Sequence, residues 1–275
     1  MSASCTSICN HFCLYCILWL TNLNERKCIY FYVLCILLDS GSIRSVCLSL
    51  YKMALLLLLP LLTVCAATPR DLYGKMFIFP QETNTAHVRL TTSRQELRNV
   101  TVCLRSFTDL RRGHPLFSLA TPSVDNDFLI YKDDAHDQMN LHIRNQYVYF
   151  AGQNYKLNTW HSLCSTWDSV SGLAQLWLDG KPSNWKLSSQ SSINGPIIIV
   201  LGQEQDSHGG GFVITESFAG MLSDVHMWDY TISPCEIQNY MDDLSFPPGN
   251  LLNWRALEFQ IIGTVLIGDK QKSCN

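Results

Sequence analysis

The sequence predicts an all-β protein: an antiparallel sandwich with one short α-helix, over residues 68–275. Three observations carry that prediction. Short runs of β-branched and aromatic residues recur between turn formers. An Asp-Gly pair sits at the tip of an alternating segment. Only one stretch carries helix start signals.

Taken in chain order, KMFIFP (75–80) and NVTVCLRSF (99–107) read as strands. The plainest hairpin is GLAQLWLDGKPSNWKL (172–187), turning at Asp179-Gly180, where glycine tolerates positive φ. PIIIVLG (196–202) is a continuous apolar run, as expected of a strand buried on both faces. SFAGMLSDVHMWDY (217–230) is a longer strand, with Gly220 marking a bend. SPCEIQNYMDDL (233–244) is the helix. Ser233 is its N-cap, Pro234 takes the first position, and Glu236 at the third completes a capping box. No linker or composition break divides 68–275, so this part reads as one domain.

The chain has 275 residues and a formal charge of −3, too balanced for a nucleic-acid binder or a disordered chain. Of its 12 cysteines, only Cys103, Cys164, Cys235 and Cys274 lie beyond Cys65. From Met53 the sequence runs MALLLLLPLLTVCAAT, with Lys52 ahead of it and small residues closing it. That is the pattern of a secretory signal peptide over 53–67. Val64 and Ala66 fit the −3 and −1 cleavage positions, as do Cys65 and Ala67. The apolar run is shorter than the ~20 residues a membrane span needs, so the mature form is expected to lack a transmembrane anchor.

Residues 1–52 hold two further apolar runs, FCLYCILWL (12–20) and CIYFYVLCILL (28–38), both short for transmembrane helices. They are either a membrane-anchoring extension or translated upstream sequence, with synthesis starting at Met53. The second is preferred, because a complete signal peptide seldom stands behind so long an extension. The part from residue 68 carries 16 Lys+Arg and 21 Asp+Glu, a formal −5. Its four cysteines are expected in an oxidising compartment, where disulfides are the default. Asn99-Val100-Thr101 is a glycosylation sequon, usable only on that route.

Enzyme signatures are missing from the sequence. It has no nucleophile elbow, no phosphate loop and no dinucleotide fingerprint. Histidines occur singly, without zinc-ligand spacing. Cys164 near His161 could suggest a thiol nucleophile, but a strand cysteine in an exported protein is far more often half of a disulfide. A carboxylate pair for glycoside hydrolysis stays open, though nothing marks an acid and a nucleophile. Calcium is the better-supported chemistry, since it takes six to eight oxygens from carboxylates, amides and carbonyls. Two segments are oxygen-rich: VDND (124–127) and EQDS (204–207). Each alone reads as a solvated loop, and the two become a site only if the fold joins them.

CSTWDS (164–169), LWLDGKP (176–182), LGQEQDS (201–207), HMWDY (226–230) and LNWRAL (252–257) occur in one order. Together they resemble the short pentraxins, the C-reactive protein and serum amyloid P group, from about Asp71 to Gly268. The extra cysteines at 235 and 274 give the resemblance a fish-like character. It implies a flattened, lectin-like jelly roll assembled as a ring, usually a pentamer. One face would hold two calcium ions that bind phosphocholine, phosphoethanolamine or acidic sugars. The opposite face would engage complement and Fc receptors.

The resemblance also carries residues. Cys103 and Cys164 match the family's intrachain disulfide; closing a loop of 61 positions would stabilise by roughly 4 kcal/mol. Asn99 matches a glycosylated position. Asp125 and Asn126 match the first pair of calcium ligands. Glu204, the carbonyl of Gln205, and Asp206 match the second cluster, with Glu204 and Asp206 bridging both ions. The next ligand, an acid in the family, falls on Val213, and the last, a glutamine, falls on Glu216. Tyr131 matches the wall against the ligand's methylenes, and its ring could face a choline ammonium.

Departures from the pattern weaken the case for phosphocholine. LHIRNQYVYF (141–150) offers no acid for a choline ammonium; Tyr147 is the nearest match, and His142 replaces a tyrosine of serum amyloid P. His161 is displaced by one from the family's histidine, leaving Ser162 there. Cys235 and Cys274 lie outside the pattern and are expected to bond to each other, with an interchain bond as runner-up. Asp179 matches a position implicated in complement binding, but the hairpin turn explains it fully. Trp160, Trp167, Trp177 and Trp228 are read as packing residues. The expected function is secreted, non-catalytic, calcium-dependent pattern recognition in innate immunity, of acute-phase type. A secreted sandwich glycosidase and a calcium-independent carbohydrate-binding module are the alternatives.

Overall fold

The computed structural model describes residues 68–134 and 138–270, and the backbone of strands Phe12–Leu23 and Arg26–Leu37. The chain divides into two compact units, Met1–Ala66 and Ala67–Asn275. In the first, the two strands pair antiparallel and take up the apolar run at 12–20 and that at 28–38 as far as Leu37. The expected signal peptide at 53–67 and Cys274 lie outside the described residues. No helix among the described residues is long and apolar enough to cross a membrane.

The second unit is the predicted sandwich. Its main strands are β1 (Lys75–Phe79), β2 (His87–Leu90), β3 (Asn99–Phe107), β4 (His114–Thr121) and β5 (Val124–Lys132). Then come β6 (Gln138–Ile143), β7 (Gln146–Ala151), β8 (His161–Asp168) and β9 (Leu173–Leu178). The last are β10 (Ile198–Leu201), β11 (Gly220–Trp228), β12 (Phe259–Ile262) and β13 (Leu266–Asp269). One sheet runs β7-β6-β5-β4-β10-β2-β12 and the other β9-β8-β3-β11-β1-β13, all antiparallel.

Alternation builds the core. Val100, Val102 and Leu104 of β3 face Phe128 and Ile130 of β5, Leu141 of β6 and Ile199 of β10 across the sheets, all fully buried. Residues of the other parity on the first sheet therefore look outward: Tyr131 on β5, His142 on β6, Tyr147 and Tyr149 on β7. The predicted hairpin forms, with Leu178 opposite Lys181 and both Asp179 (φ 49°) and Gly180 (φ 76°) left-handed, the geometry a two-residue primed turn requires.

The outer face of the second sheet is covered by α1 (Pro234–Met241). Ser233 and Glu236 form the predicted capping box, and the helix stops before residue 244, with Asp243 left-handed at φ 56°. Ile237 and Tyr240 pack on Trp177, Trp228 and the Cys103–Cys164 disulfide, whose cysteines stand directly opposite each other on β3 and β8.

Three expectations need correction. VDND is no loop: Val124 to Asp127 open β5, paired to β4 from Thr121. The bend in β11 lies at a bulge between Ser223 and His226, where Asp224 has φ 53°, and Gly220 instead begins the strand. Trp160 is 39% exposed, leaning on Phe107, whereas Trp167, Trp177 and Trp228 are buried as expected.

Candidate metal centre

The loop after β10 folds back on itself and closes. Gln203 pairs with Ser217, and the Phe218 N–H donates to the Gly202 carbonyl at 2.9 Å. That closure sets Glu204 beside Glu216 although 12 positions separate them. Gln203 is anchored underneath, its Nε2 donating to the Thr83 and Ala86 carbonyls at 2.7 and 2.9 Å. Gln205 is fully buried; its Nε2 donates to the Ser118 and Ile198 carbonyls, and its Oε1 accepts from the Gly209 N–H at 2.9 Å. The amide is thereby consumed by the fold, which leaves the backbone carbonyl as the group Gln205 can offer a cation. Gly211 is left-handed at φ +79°, and a Cβ there would stand 2.7 Å from Cβ of Asp206. The glycine run is therefore the backing of Asp206.

Carboxylate oxygens of Glu204, Asp206 and Glu216 lie within 4.8 Å of one another. Burial, then the charges of Asp206 and Glu216, push the Glu204 carboxyl up to about 7, against a hydrogen bond from Asn126. Asp125 adds to the same field. The Glu216 carboxyl is raised by burial and by Asp206. Three carboxylates crowded in this way repel each other unless protonated or bridged by a cation. Asn126 supplies an independent sign: its Oδ1 is buried and has no hydrogen-bond partner. An orphaned buried oxygen is costly, and a cation ligated there removes the cost. The donor set is all oxygen, the chemistry of a hard divalent ion such as calcium.

The upstream pair reaches the loop through β5. The β6–β7 turn, Arg144-Asn145, has φ of 54° and 60°, and its amides donate to the carbonyls of Asp127 and Asn126 at 3.1 and 3.0 Å. Asn145 Oδ1 also accepts from the Asn126 N–H at 3.2 Å. Asp127 is fully buried and bonds Arg144 Nη1 at 2.8 Å and the Thr121 hydroxyl, so it is no ligand candidate. Sequence reasoning missed Arg144 and Asn145 as positioning residues. The two-residue gap between the alternating runs of LHIRNQYVYF was the available signal.

Tyr131 lies beside the cluster; burial and then the charge of Glu216 push its phenol up to about 12. His142 is lowered by burial and raised in part by Asp125, and its ring meets Tyr147 edge-on at 5.3 Å. Tyr147 in turn stacks on Tyr149 at 6.1 Å. Val213 is 41% exposed, and its carbonyl is taken by the Glu216 N–H at 2.9 Å. Away from this face, Cys235 is exposed and has no disulfide partner among the described residues. Asn99, turned so that both amide atoms are satisfied, donates to Asp168 Oδ1 at 2.9 Å. Asp179 holds the His161 ring and the Ser162 N–H, a structural role that accounts for its position.

The Pentaxin family model matches residues 75–269. This chain belongs to that family. Pentraxins are non-enzymatic, lectin-like proteins. The serum amyloid P-component of Mus musculus is 42% identical over 199 residues, covering 72% of this pentraxin and 88% of its own length. The C-reactive protein of Xenopus laevis is 41% identical over 206 residues, covering 74% and 86%. The native heptameric SAP-like pentraxin from Limulus polyphemus superimposes with a TM-score of 0.67 at 27% identity, covering 72% of this chain and 96% of that one.

Proposed function

We propose that this pentraxin is a secreted, calcium-dependent pattern-recognition protein. Residues 53–67 act as its signal peptide and 68–275 form the mature domain. Asp125, Asn126, Glu204, Asp206 and Glu216 hold calcium through side-chain oxygens, and Gln205 does so through its carbonyl. Bound calcium supplies an open coordination position for a phosphate or carboxylate oxygen of the target. Tyr131 and His142 flank that position and pack against the rest of the ligand. The supporting observation is the convergence of three carboxylates beside an orphaned Asn126 oxygen. Val213 brings no side-chain oxygen, so the second ion is held less tightly than the first, with the Glu216 charge compensating in part.

Affinity for a surface then comes from several weak sites presented on one ring. Pentraxin homologues form rings, and a pentamer is proposed here. Glycosylation at Asn99, a Cys235–Cys274 bond, and complement or Fc-receptor contacts belong to the same proposal by resemblance.

The test is a phosphoethanolamine or agarose column, loaded in calcium and eluted with EDTA. Retention in calcium and release by EDTA are expected; retention indifferent to EDTA overturns the mechanism. Sugar turnover that survives Asp206→Ala would establish a glycosidase instead.

A further inference from the structure

The loop that carries Glu216 ends in two aliphatic side chains that face water. Val213 is 41% exposed and Ile214 is 49% exposed. They sit at the head of a single 3-10 turn, Ile214–Glu216, closed by the Glu216 N–H to the Val213 carbonyl at 2.9 Å. That hydrogen bond ties the Val213 backbone directly to Glu216. The tip is held at both ends. Before it, the Phe212 ring packs on His87 at 4.8 Å. After it, Ser217 is fully buried, and its hydroxyl donates to the Ile214 carbonyl at 2.7 Å. Arg112 Nη2 also reaches the Ser217 hydroxyl, at 3.2 Å, and is held from the other side by Glu82 at 3.0 Å. A rigid tip of this kind keeps Val213 and Ile214 out of the core, beside the carboxylates.

Single exposed aliphatics need no explanation. Two adjacent ones, fixed beside an oxygen cluster where a bound divalent ion would leave a coordination position for a phosphate oxygen, match a target with charged oxygens outside and hydrocarbon beneath. We propose that Val213 and Ile214 form an apolar wedge that enters a phospholipid bilayer when the neighbouring centre engages a headgroup phosphate. The inference rests on the calcium reading of that centre. It adds a membrane target in which the acyl region, as well as the headgroup, is recognised. The valine that costs the centre a ligand then gains a role, because an acid at the same place would resist insertion.

The experiment compares the intact secreted protein with a Val213→Ala/Ile214→Ala variant, against soluble phosphoethanolamine and against phosphatidylethanolamine vesicles, both in calcium. Equal affinity for soluble phosphoethanolamine is expected, with vesicle affinity weakened at least about tenfold in the variant, as expected for lost half-exposed aliphatic area. In a second measurement, Ile214→Trp should add a blue-shifted emission on vesicle binding, quenched by brominated acyl chains. Vesicle binding unchanged in the double variant, or an added emission that brominated lipid leaves untouched, overturns the wedge. Failure of soluble phosphoethanolamine to bind in calcium removes the headgroup reading and the wedge with it.

Discussion

At the scale of single residues, the centre is built on electrostatic conflict. Glu204, Asp206 and Glu216 crowd together, and Glu204 relieves part of the strain by holding its proton up to about 7. Removing one carboxylate should therefore relieve the apo protein while it disables the site. Asp206→Ala is expected to keep or raise the melting temperature in EDTA and to abolish retention on a phosphoethanolamine column. A lower melting temperature in EDTA would show that Asp206 is structural. Val213→Glu should strengthen the weaker calcium step by roughly tenfold or more, since ligand charge tunes affinity. Titration calorimetry of the variant checks it, and an unchanged second step would contradict it. The ligand candidates came from the resemblance, because VDND and EQDS each read alone as solvated loops and only the fold joins them. Asn145 and Arg144 were not legible, because their work depends on a turn docking against β5 across 17 to 19 positions.

The elements were legible in proportion to how local their causes are. The helix at Pro234–Met241 came from a capping box and an N1 proline, signals complete within four residues. Ser233→Ala should cost about 1 kcal/mol in denaturant unfolding. The Asp179-Gly180 hairpin was equally local. By contrast, β4 to β7 were not read as strands: the Pro122-Ser123 and Arg144-Asn145 turns that join them were passed over, and VDND looked like a loop because its acids mask a strand start. The bulge in β11 depends on Asp224 being held left-handed while its carboxylate meets Lys270 and lies near Arg105, contacts no local pattern predicts. Gly211 tests the element that carries the site. Gly211→Ala forces a strained φ and a collision with Asp206, so calcium affinity should fall while the disulfide and the core stay intact. Wild-type calcium affinity in that variant would mean the loop bends without moving Asp206.

At the scale of the whole molecule, three histidines are buried among the described residues, His114, His161 and His226, and burial depresses the first and the last. His114 is 1% exposed with Nε2 unpartnered, and His226 is 5% exposed, stacked on Trp228 at 5.7 Å. Burial lowers both to about 4 from an ordinary 6.5. Their folded pKa values are depressed, so the unfolded chain binds more protons between pH 6.5 and 4, and stability falls as pH drops through that window. The loss approaches ~3 kcal/mol per histidine near pH 4. The Glu204 carboxyl, raised to about 7, gains its proton in the fold over the same range and offsets part of that loss, so the readout is the difference between chains. Melting in EDTA should fall less steeply with pH in His226→Phe than in wild type, and identical slopes would refute the assignment. The sandwich itself was predictable because alternation and one helix leave few ways to bury both faces. The proposed receptor role rests on the pairing of two distant oxygen-rich segments, and that is measured most directly by titrating calcium into the secreted protein. Two unequal binding steps, both lost in Asp206→Ala, are expected. Two equally tight ions, or calcium binding that survives Asp206→Ala, would contradict the centre as described.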